Sequence, residues 1–155
     1  MIEPLRRSFV VRCGVTHAFD VFAAKTSLWW PHTHSVSQAP GITVMIEPMV
    51  GGRILERTPA GEEFEWGTVV AWDPPTRLSY SWHLRADRAD ATDVAITFTA
   101  IDLETTRVDI LHSGWERLGD RGQARRDGNQ KGWSGLLPHY VAACSSHTDA
   151  ARRAR

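Results

Sequence analysis

The stretch EFEWGTVVAWDPPTRLSYSWHL, residues 63–84, holds two long β-rich runs joined by the turn Asp73–Thr76. In the second run Leu78, Tyr80 and Trp82 alternate with small or polar side chains. This period of two is typical of a strand with one buried face. Paired prolines between apolar runs mark a turn. The stretch therefore predicts two strands around a tight turn, with one aromatic face packed against the core.

Strand patterns continue on both sides of residues 63–84. Further strands are predicted over Ser8–Val15, Ile42–Glu47, Arg53–Thr58, 94–99 and 108–112. A short helix follows the first strand, with Thr16 as its expected N-cap, and it ends before Pro31 because the residue before a proline avoids helical geometry. Gly51 and Gly52 mark one of the turns. The predicted order is strand, helix, six strands and a long final helix.

The final helix is predicted from an apolar stripe with helical spacing. The stripe consists of Trp133, Leu136, Leu137, Tyr140, Val141 and Cys144. Pro138 lies off the stripe and is expected to bend the helix. Gly128, Gly132 and Gly135 weaken its first half. We interpret these glycines as room for close helix–sheet packing, with a hinge for ligand access as the alternative.

Length and charge indicate one globular domain without nucleic-acid affinity. The 155 residues suffice for a single core, and we place the domain at residues 1–147, followed by a flexible basic tail at 148–155. Eighteen basic residues balance eighteen acidic ones, so no basic surface for nucleic acid is indicated. No apolar run is long enough to span a bilayer, and the N-terminus lacks a secretory signal. Cys13 and Cys144 are expected to be buried and reduced, which favours the cytoplasm.

Four motifs resemble one known family. They are VFAAKTSLWWP (21–31), IEPMVGGRILERTPAGEEFEWGTVVAWDPPTRLSYSWH (46–83), TRVDILHSGWERLG (106–119) and GWSGLLPHYV (132–141). In order and spacing they resemble the activator of Hsp90 ATPase homologue (AHSA1-like) branch of the START-like, or SRPBCC, superfamily. The resemblance runs from about Ser8 to Cys144. It implies an α+β helix-grip fold, in which a seven-stranded curved antiparallel sheet wraps around a long C-terminal helix and encloses a deep apolar cavity. The superfamily includes carriers, polyketide cyclases and a co-chaperone, so the fold alone does not fix the function.

Seven tryptophans are more than a two-layer core of this size needs. They are Trp29, Trp30, Trp66, Trp72, Trp82, Trp115 and Trp133. Flat, rigid indoles would suit the wall of a cavity that holds an aromatic guest, although each ring taken singly could also be core packing. We expect Trp82 and Trp133 to line the cavity, and one ring of the adjacent pair to cap its mouth while the other packs beneath the first helix.

The histidines are interpreted as polar contacts rather than metal ligands. His32 and His34 form a loop H-x-H pair, but zinc needs three or four ligands and no cysteine lies near in sequence, so we expect no metal. His32 would instead lie at the wet edge of the cavity mouth. His112 alternates with buried residues and is expected to be a hydrogen-bonded core residue, or else to hold a polar group at the cavity floor.

Two charged groups are given structural interpretations. The topology that the resemblance implies puts Arg53, Glu56 and Glu65 on neighbouring strands, where a cross-strand Arg–Glu pair is the simpler interpretation. A buried arginine or carboxylate aimed at the cavity, as an enzyme would need, is the alternative. The stretch Glu116–Lys131 carries near-balanced charges, which favour a solvated helix start over an anion-binding site.

The function predicted from these observations is binding of a small hydrophobic or aromatic molecule between the sheet and the final helix. The candidate ligand-binding residues are Trp29, Trp30, His32, Trp66, Trp82, His112, Trp133, Leu137 and Tyr140. A cyclase- or hydrolase-type enzyme that uses polar cavity residues is one alternative, and a co-chaperone-like interaction module is another. No cofactor motif is present. A homodimer is compatible with the sequence, but nothing in it marks an interface.

Overall fold

The computed structural model describes residues 1–153, with side chains as far as residue 145. The strands are β1 (Leu5–Val11), β2 (Thr43–Ile46), β3 (Arg53–Arg57), β4 (Glu63–Asp73), β5 (Arg77–Trp82), β6 (Thr92–Asp102) and β7 (Thr105–Ser113). The helices are α1 (Val15–Ala23) and α2 (Gly122–Arg153), with single 3-10 turns at Thr26–Leu28 and Arg88–Asp90 and a longer one at Trp115–Arg121. This order confirms the predicted α+β helix-grip fold.

The seven strands form one antiparallel sheet in the order β1-β7-β6-β5-β4-β3-β2. From β2 to β7 the strands pair consecutively along the chain, and β1 pairs with β7 at one edge of the sheet. Trp82 pairs with Gly67 on β4 and with Thr92 on β6. A Cβ at Gly67 would lie 2.0 Å from the Ser81 carbonyl oxygen, so only glycine permits this close approach of β4 and β5.

Helix α2 packs its apolar stripe against the sheet and α1. Trp133, Leu136, Leu137 and Tyr140 are all buried. The Tyr140 hydroxyl donates a 2.7 Å hydrogen bond to the Ala18 carbonyl of α1, which satisfies the polar end of a ring otherwise surrounded by aromatic neighbours. The middle of α2, from Trp133 to Tyr140, therefore packs on the core, and its first turns are left to form the wall of the site described below.

The start of α1 differs from the prediction. Gly14, rather than Thr16, is the N-cap, and its carbonyl accepts the first helical hydrogen bond from Ala18. The chain passes close beneath the β6–β7 turn here, and a Cβ at Gly14 would lie 2.9 Å from the Leu103 carbonyl oxygen. This contact fixes where the chain can turn, so α1 begins one residue before Thr16.

The two cysteines are distant in sequence but adjacent in the fold. Cys13 follows β1, Cys144 lies on α2, and both are buried thiols outside any disulfide that hydrogen-bond to each other. They fill the space between the end of β1 and the helix, as small apolar residues do. Across residues 1–153, no helix combines the length and apolar character that a bilayer span requires. The predicted tail at 148–155 lies outside the residues whose side chains are described, and it stays a prediction.

Candidate functional site

A cavity of about 490 Å³ opens between the first half of α2, the loop after α1 and the end of β5. Its described lining consists of Trp30, Thr33, His34, Trp82, Leu84, Arg85, Arg125, Gly128, Asn129, Lys131, Gly132, Trp133 and Leu136. The volume falls in the range typical of small-molecule sites. Such sites usually combine a mainly apolar wall with a few polar groups, and this cavity has both.

Indole rings form the apolar wall of the cavity. The Trp30 ring lies 6.0 Å from Trp82, centroid to centroid, and Trp66 lies behind both at 4.9 and 5.8 Å. Trp66 is fully buried, whereas Trp30 and Trp82 are partly exposed. Trp133 lines the cavity from α2. Trp30, Trp66 and Trp82 contact one another at separations that favour aromatic pairs, which stabilises this part of the wall.

The two adjacent tryptophans of the loop have different environments. Trp29 is only 5% exposed, and its indole N–H donates to the Val21 carbonyl at 2.8 Å. Its ring packs against Phe22, 5.3 Å away. Trp30 instead donates to the His34 carbonyl at 2.8 Å and presents its ring to the cavity. The structure therefore places Trp29 in the core beneath α1 and Trp30 at the cavity.

Two glycines of α2 leave the space that becomes the cavity. A Cβ at Gly128 or Gly132 would meet no heavy atom within 4 Å, although both positions lie inside a helix. Glycine at such a position costs roughly 1 kcal/mol relative to alanine. The close helix–sheet packing predicted for these two residues is wrong, because they face open space. Gly135 differs, since a Cβ there would lie 3.2 Å from Nε2 of His34.

Glu56 anchors the loop that carries Trp30, and the sequence did not reveal this role. Its side chain is fully buried and accepts hydrogen bonds from the backbone N–H groups of Val36 (2.6 Å) and Ser37 (3.2 Å). It also accepts from the Ser37 hydroxyl (2.6 Å) and the Trp66 indole N–H (2.9 Å). Burial opposes ionisation, but these four donors outweigh it and hold the pKa of Glu56 below its ordinary value. One carboxylate thus fixes both the loop and an indole of the wall.

The predicted Arg–Glu pair among Arg53, Glu56 and Glu65 does not form. Arg53 on β3 instead lies 3.3 Å from Glu47 and 3.6 Å from Glu63 on β4, so other carboxylates take the arginine. Glu65 binds Arg88, with the closest atoms 2.6 Å apart. Glu56 is left to accept from peptide, hydroxyl and indole donors instead. The pattern of charges along β3 and β4 could not distinguish these partners.

Arg85 ties the same loop from its other side. Its Nε donates to the Ser35 carbonyl at 2.9 Å and its Nη2 to the Thr33 carbonyl at 3.0 Å. The residue adopts a left-handed backbone conformation, with φ of 61°, which is unfavourable for a residue other than glycine. The surrounding hydrogen bonds maintain this conformation, and they join the β5–β6 connection to the loop beside the cavity.

His112 lies behind Trp133 and is fully hydrogen-bonded. The Trp133 indole N–H donates to Nδ1 at 3.0 Å, so the ring proton belongs on Nε2, which lies 2.7 Å from the Thr92 hydroxyl. Burial lowers the pKa of His112 to about 3, so the ring is neutral at physiological pH. Because both nitrogens are engaged, His112 holds Trp133 in place and has no free nitrogen for proton transfer to a guest.

The remaining candidates lie away from the cavity surface. Tyr140 is fully buried, and its hydroxyl is bound to Ala18. Leu137 lines a separate shallow depression between α2 and β1. His32 is exposed beside the mouth and is absent from the described lining. As ligand contacts these residues stay predictions. Among the residues described, no group of three or more potential ligands is arranged to hold a metal ion.

Comparison with known proteins places this architecture among its relatives. A family model described as "Activator of Hsp90 ATPase homolog 1-like protein" matches residues 18–142. The chain matches no curated protein. The solved structure of an anthrahydroquino-gamma-pyrone synthase, Txn09, complexed with SUM shares 33% identity, with a TM-score of 0.58, and the match covers 79% of this chain and 84% of that one.

Two further solved structures extend the comparison. CalC from Micromonospora echinospora, a self-sacrificing resistance protein, shares 28% identity with a TM-score of 0.73, and the match covers 93% of this chain and 95% of that one. Protein MLL2253 from Mesorhizobium loti shares 18% identity with a TM-score of 0.65, covering 94% and 98% of the two chains. The last similarity concerns the fold alone.

Proposed function

We propose that this chain binds a small aromatic molecule between the sheet and α2. The chain belongs to the family of activator of Hsp90 ATPase homolog 1-like proteins. The observation that carries this proposal is the cavity of about 490 Å³ with Trp30, Trp82 and Trp133 on its wall. Indoles present large apolar faces at low entropic cost because each side chain has only two rotatable bonds. The glycines of α2 support the proposal because they keep the space between the rings open.

The expected affinity follows from the apolar area that a guest would bury. A naphthalene-sized guest that buries ~250 Å² of apolar surface gains ~6 kcal/mol. Part of this gain is lost to the entropy of association, while contacts with the rings add to it. We therefore expect simple aromatic probes to bind with dissociation constants of roughly 10–100 μM. A ligand that fills more of the cavity would bind more tightly.

A cyclase-type activity is the second candidate, because the 33% identical protein is named as a synthase of an anthrahydroquino-gamma-pyrone. Both candidates share an aromatic guest in the same cavity. His112 has no free nitrogen for such a reaction. His34 is the imidazole on the cavity wall, and its Nδ1 is buried without a hydrogen-bond partner among the described residues. The co-chaperone-like alternative stays a prediction, and no surface feature of the residues with described side chains favours it.

Titration with N-phenylnaphthylamine, an uncharged probe whose emission rises in apolar surroundings, tests the proposal. Trp82→Ala removes a ring of the cavity wall and should weaken probe binding by about tenfold. Trp72→Ala is the matched control, because Trp72 is also partly buried but packs against Phe19 outside the cavity, 5.2 Å away. Both variants should lose stability in thermal unfolding. Equal probe affinity in the two variants, or no probe binding to the unmodified protein, would contradict the proposal.

A further inference from the structure

The polar part of the cavity wall carries one sign of charge. Arg85, Arg125 and Lys131 all line it, and none of the lining residues that the structure describes is acidic. The chain as a whole is balanced, with 18 basic and 18 acidic residues. The excess of positive charge is therefore local to the cavity, and it is not a general property of the surface. A concave wall with one sign of charge concentrates ligands of the opposite sign.

The two cations on α2 are available for a ligand. In the part of the chain with described side chains, neither Arg125 nor Lys131 forms an ion pair. Asp90 lies with Arg125 around an adjoining depression. The pKa of Asp90 is lowered first by its hydrogen bonds from Arg121 and more weakly by attraction to Arg125. Asp90 already accepts two hydrogen bonds from Arg121, both at 3.1 Å. Arg125 therefore keeps its donors free on the cavity side.

Arg85 likewise forms no ion pair among the residues with described side chains. Its hydrogen bonds go to the carbonyl groups of Ser35 and Thr33, which are dipoles without net charge. The neighbouring His34 responds to this environment. Burial lowers the pKa of His34, and repulsion by Arg85 and His139 lowers it further, so His34 adds no second charge beside the guanidinium at neutral pH.

The charged stretch Glu116–Lys131 therefore differs from its interpretation as a merely solvated helix start. The near balance of signs in the sequence does not show the direction of each side chain. In the fold Asp120 and Asp127 are exposed and do not line the cavity, whereas Arg125 and Lys131 do. The fold thus leaves both of these acids outside the cavity and places two of the five basic residues of the stretch beside the indoles.

We infer that the ligand is an aromatic anion, a planar polycyclic compound that carries an ionised acidic group such as a carboxylate or phenolate. Its rings lie against Trp30, Trp82 and Trp133, and its charge is directed to Arg125 and Lys131. The inference rests on the proposed function, because it assigns the ligand class of the same cavity. An aromatic ring system alone would use the indoles and leave the cations without a role.

Two probes with the same ring system separate the inference from the proposed function. N-phenylnaphthylamine is uncharged, and anilinonaphthalene sulfonate adds one negative charge to the same rings. The quantity measured is the ratio of their dissociation constants, because the intrinsic difference between the probes cancels when variants are compared. The test variant carries Arg125→Gln and Lys131→Gln. The matched control carries Arg6→Gln and Arg12→Gln, which remove the same charge from exposed positions outside the described cavity lining.

In the test variant we expect sulfonate binding to weaken about fivefold, as for two partly exposed charge contacts, while the uncharged probe changes less than about twofold. High salt should weaken sulfonate binding to the unmodified protein in the same direction. The control variant should match the unmodified protein. The inference is overturned if the test variant weakens both probes equally or neither of them. Binding of the uncharged probe alone would overturn the inference of an anionic ligand and preserve the proposed function. Binding of neither probe would overturn the inference and the proposed function together.

Discussion

Replacing Gly132 by leucine should raise the stability of the protein and weaken ligand binding. A Cβ at this position meets no heavy atom within 4 Å, and Gly132 lines the cavity, so we expect the new side chain to enter the cavity. Loss of a mid-helix glycine stabilises the helix by about 1 kcal/mol, which corresponds to a rise in Tm of about 2–4 °C for a chain of this size. The four added carbon atoms occupy space that a guest needs. If they displace ~100 Å² of guest contact, affinity falls by ~2.5 kcal/mol, or more than tenfold.

The assay for Gly132→Leu combines thermal unfolding with N-phenylnaphthylamine titration. Ala124→Leu is the control, because Ala124 is exposed on the same helix and lies outside the described cavity lining. The control should bind the probe as the unmodified protein does. Gly132→Ala should give most of the stability gain with a smaller loss of binding. A fall in Tm for Gly132→Leu would show that the position is packed, and unchanged probe affinity would show that the guest does not use this cavity.

Three further predictions concern the buried polar groups. Glu56→Gln should cost about 3 kcal/mol in urea unfolding, because an amide cannot accept from all four donors. Since the pKa of Glu56 is depressed, its contribution is present above the ordinary value of 4.5 and lost as pH falls through the lower folded value, so the difference should shrink in acid. The His112 ring, whose pKa is about 3, should show no NMR titration between pH 7.5 and 4.5, and a midpoint near 6.5 would contradict its hydrogen-bonding. Cys13 and Cys144 should react with a thiol reagent only on unfolding, and rapid reaction of the native protein would contradict their burial.

The fold could be predicted from local patterns because each pattern corresponds to one physical requirement. The alternation of Leu78, Tyr80 and Trp82 required a strand with one packed face, and all three point into the buried or half-buried side of β5. The stripe that contains Trp133 and Tyr140 required a helix with one packed face, and α2 buries both residues. Periodicity reports which face of an element is buried, and this suffices to predict element type and order.

The site could be predicted only in part, because periodicity does not show what lies opposite a buried face. Trp29 and Trp30 are identical and adjacent, and only the tertiary fold assigns one to the core and the other to the cavity. The direction of Arg125 depends on how α2 is rotated against the sheet. The role of Glu56 depends on a loop about 20 residues away in sequence, because its carboxylate accepts hydrogen bonds from the N–H groups of that loop. Glycines at 128 and 132 fit either close packing or open space, and the distinction needs the neighbouring atoms.

The loop beside the cavity is tethered from two sides, by Glu56 at Val36 and Ser37 and by Arg85 at Thr33 and Ser35. Because the loop is held in this way, it loses its conformational freedom when the chain folds, and binding of a guest does not have to order it. We therefore expect association to be fast and nearly rigid, with little change in backbone order on binding. Loss of the Arg85 hydrogen bonds to the loop should lower the association rate of the guest more than it weakens the contacts between the guest and the cavity wall.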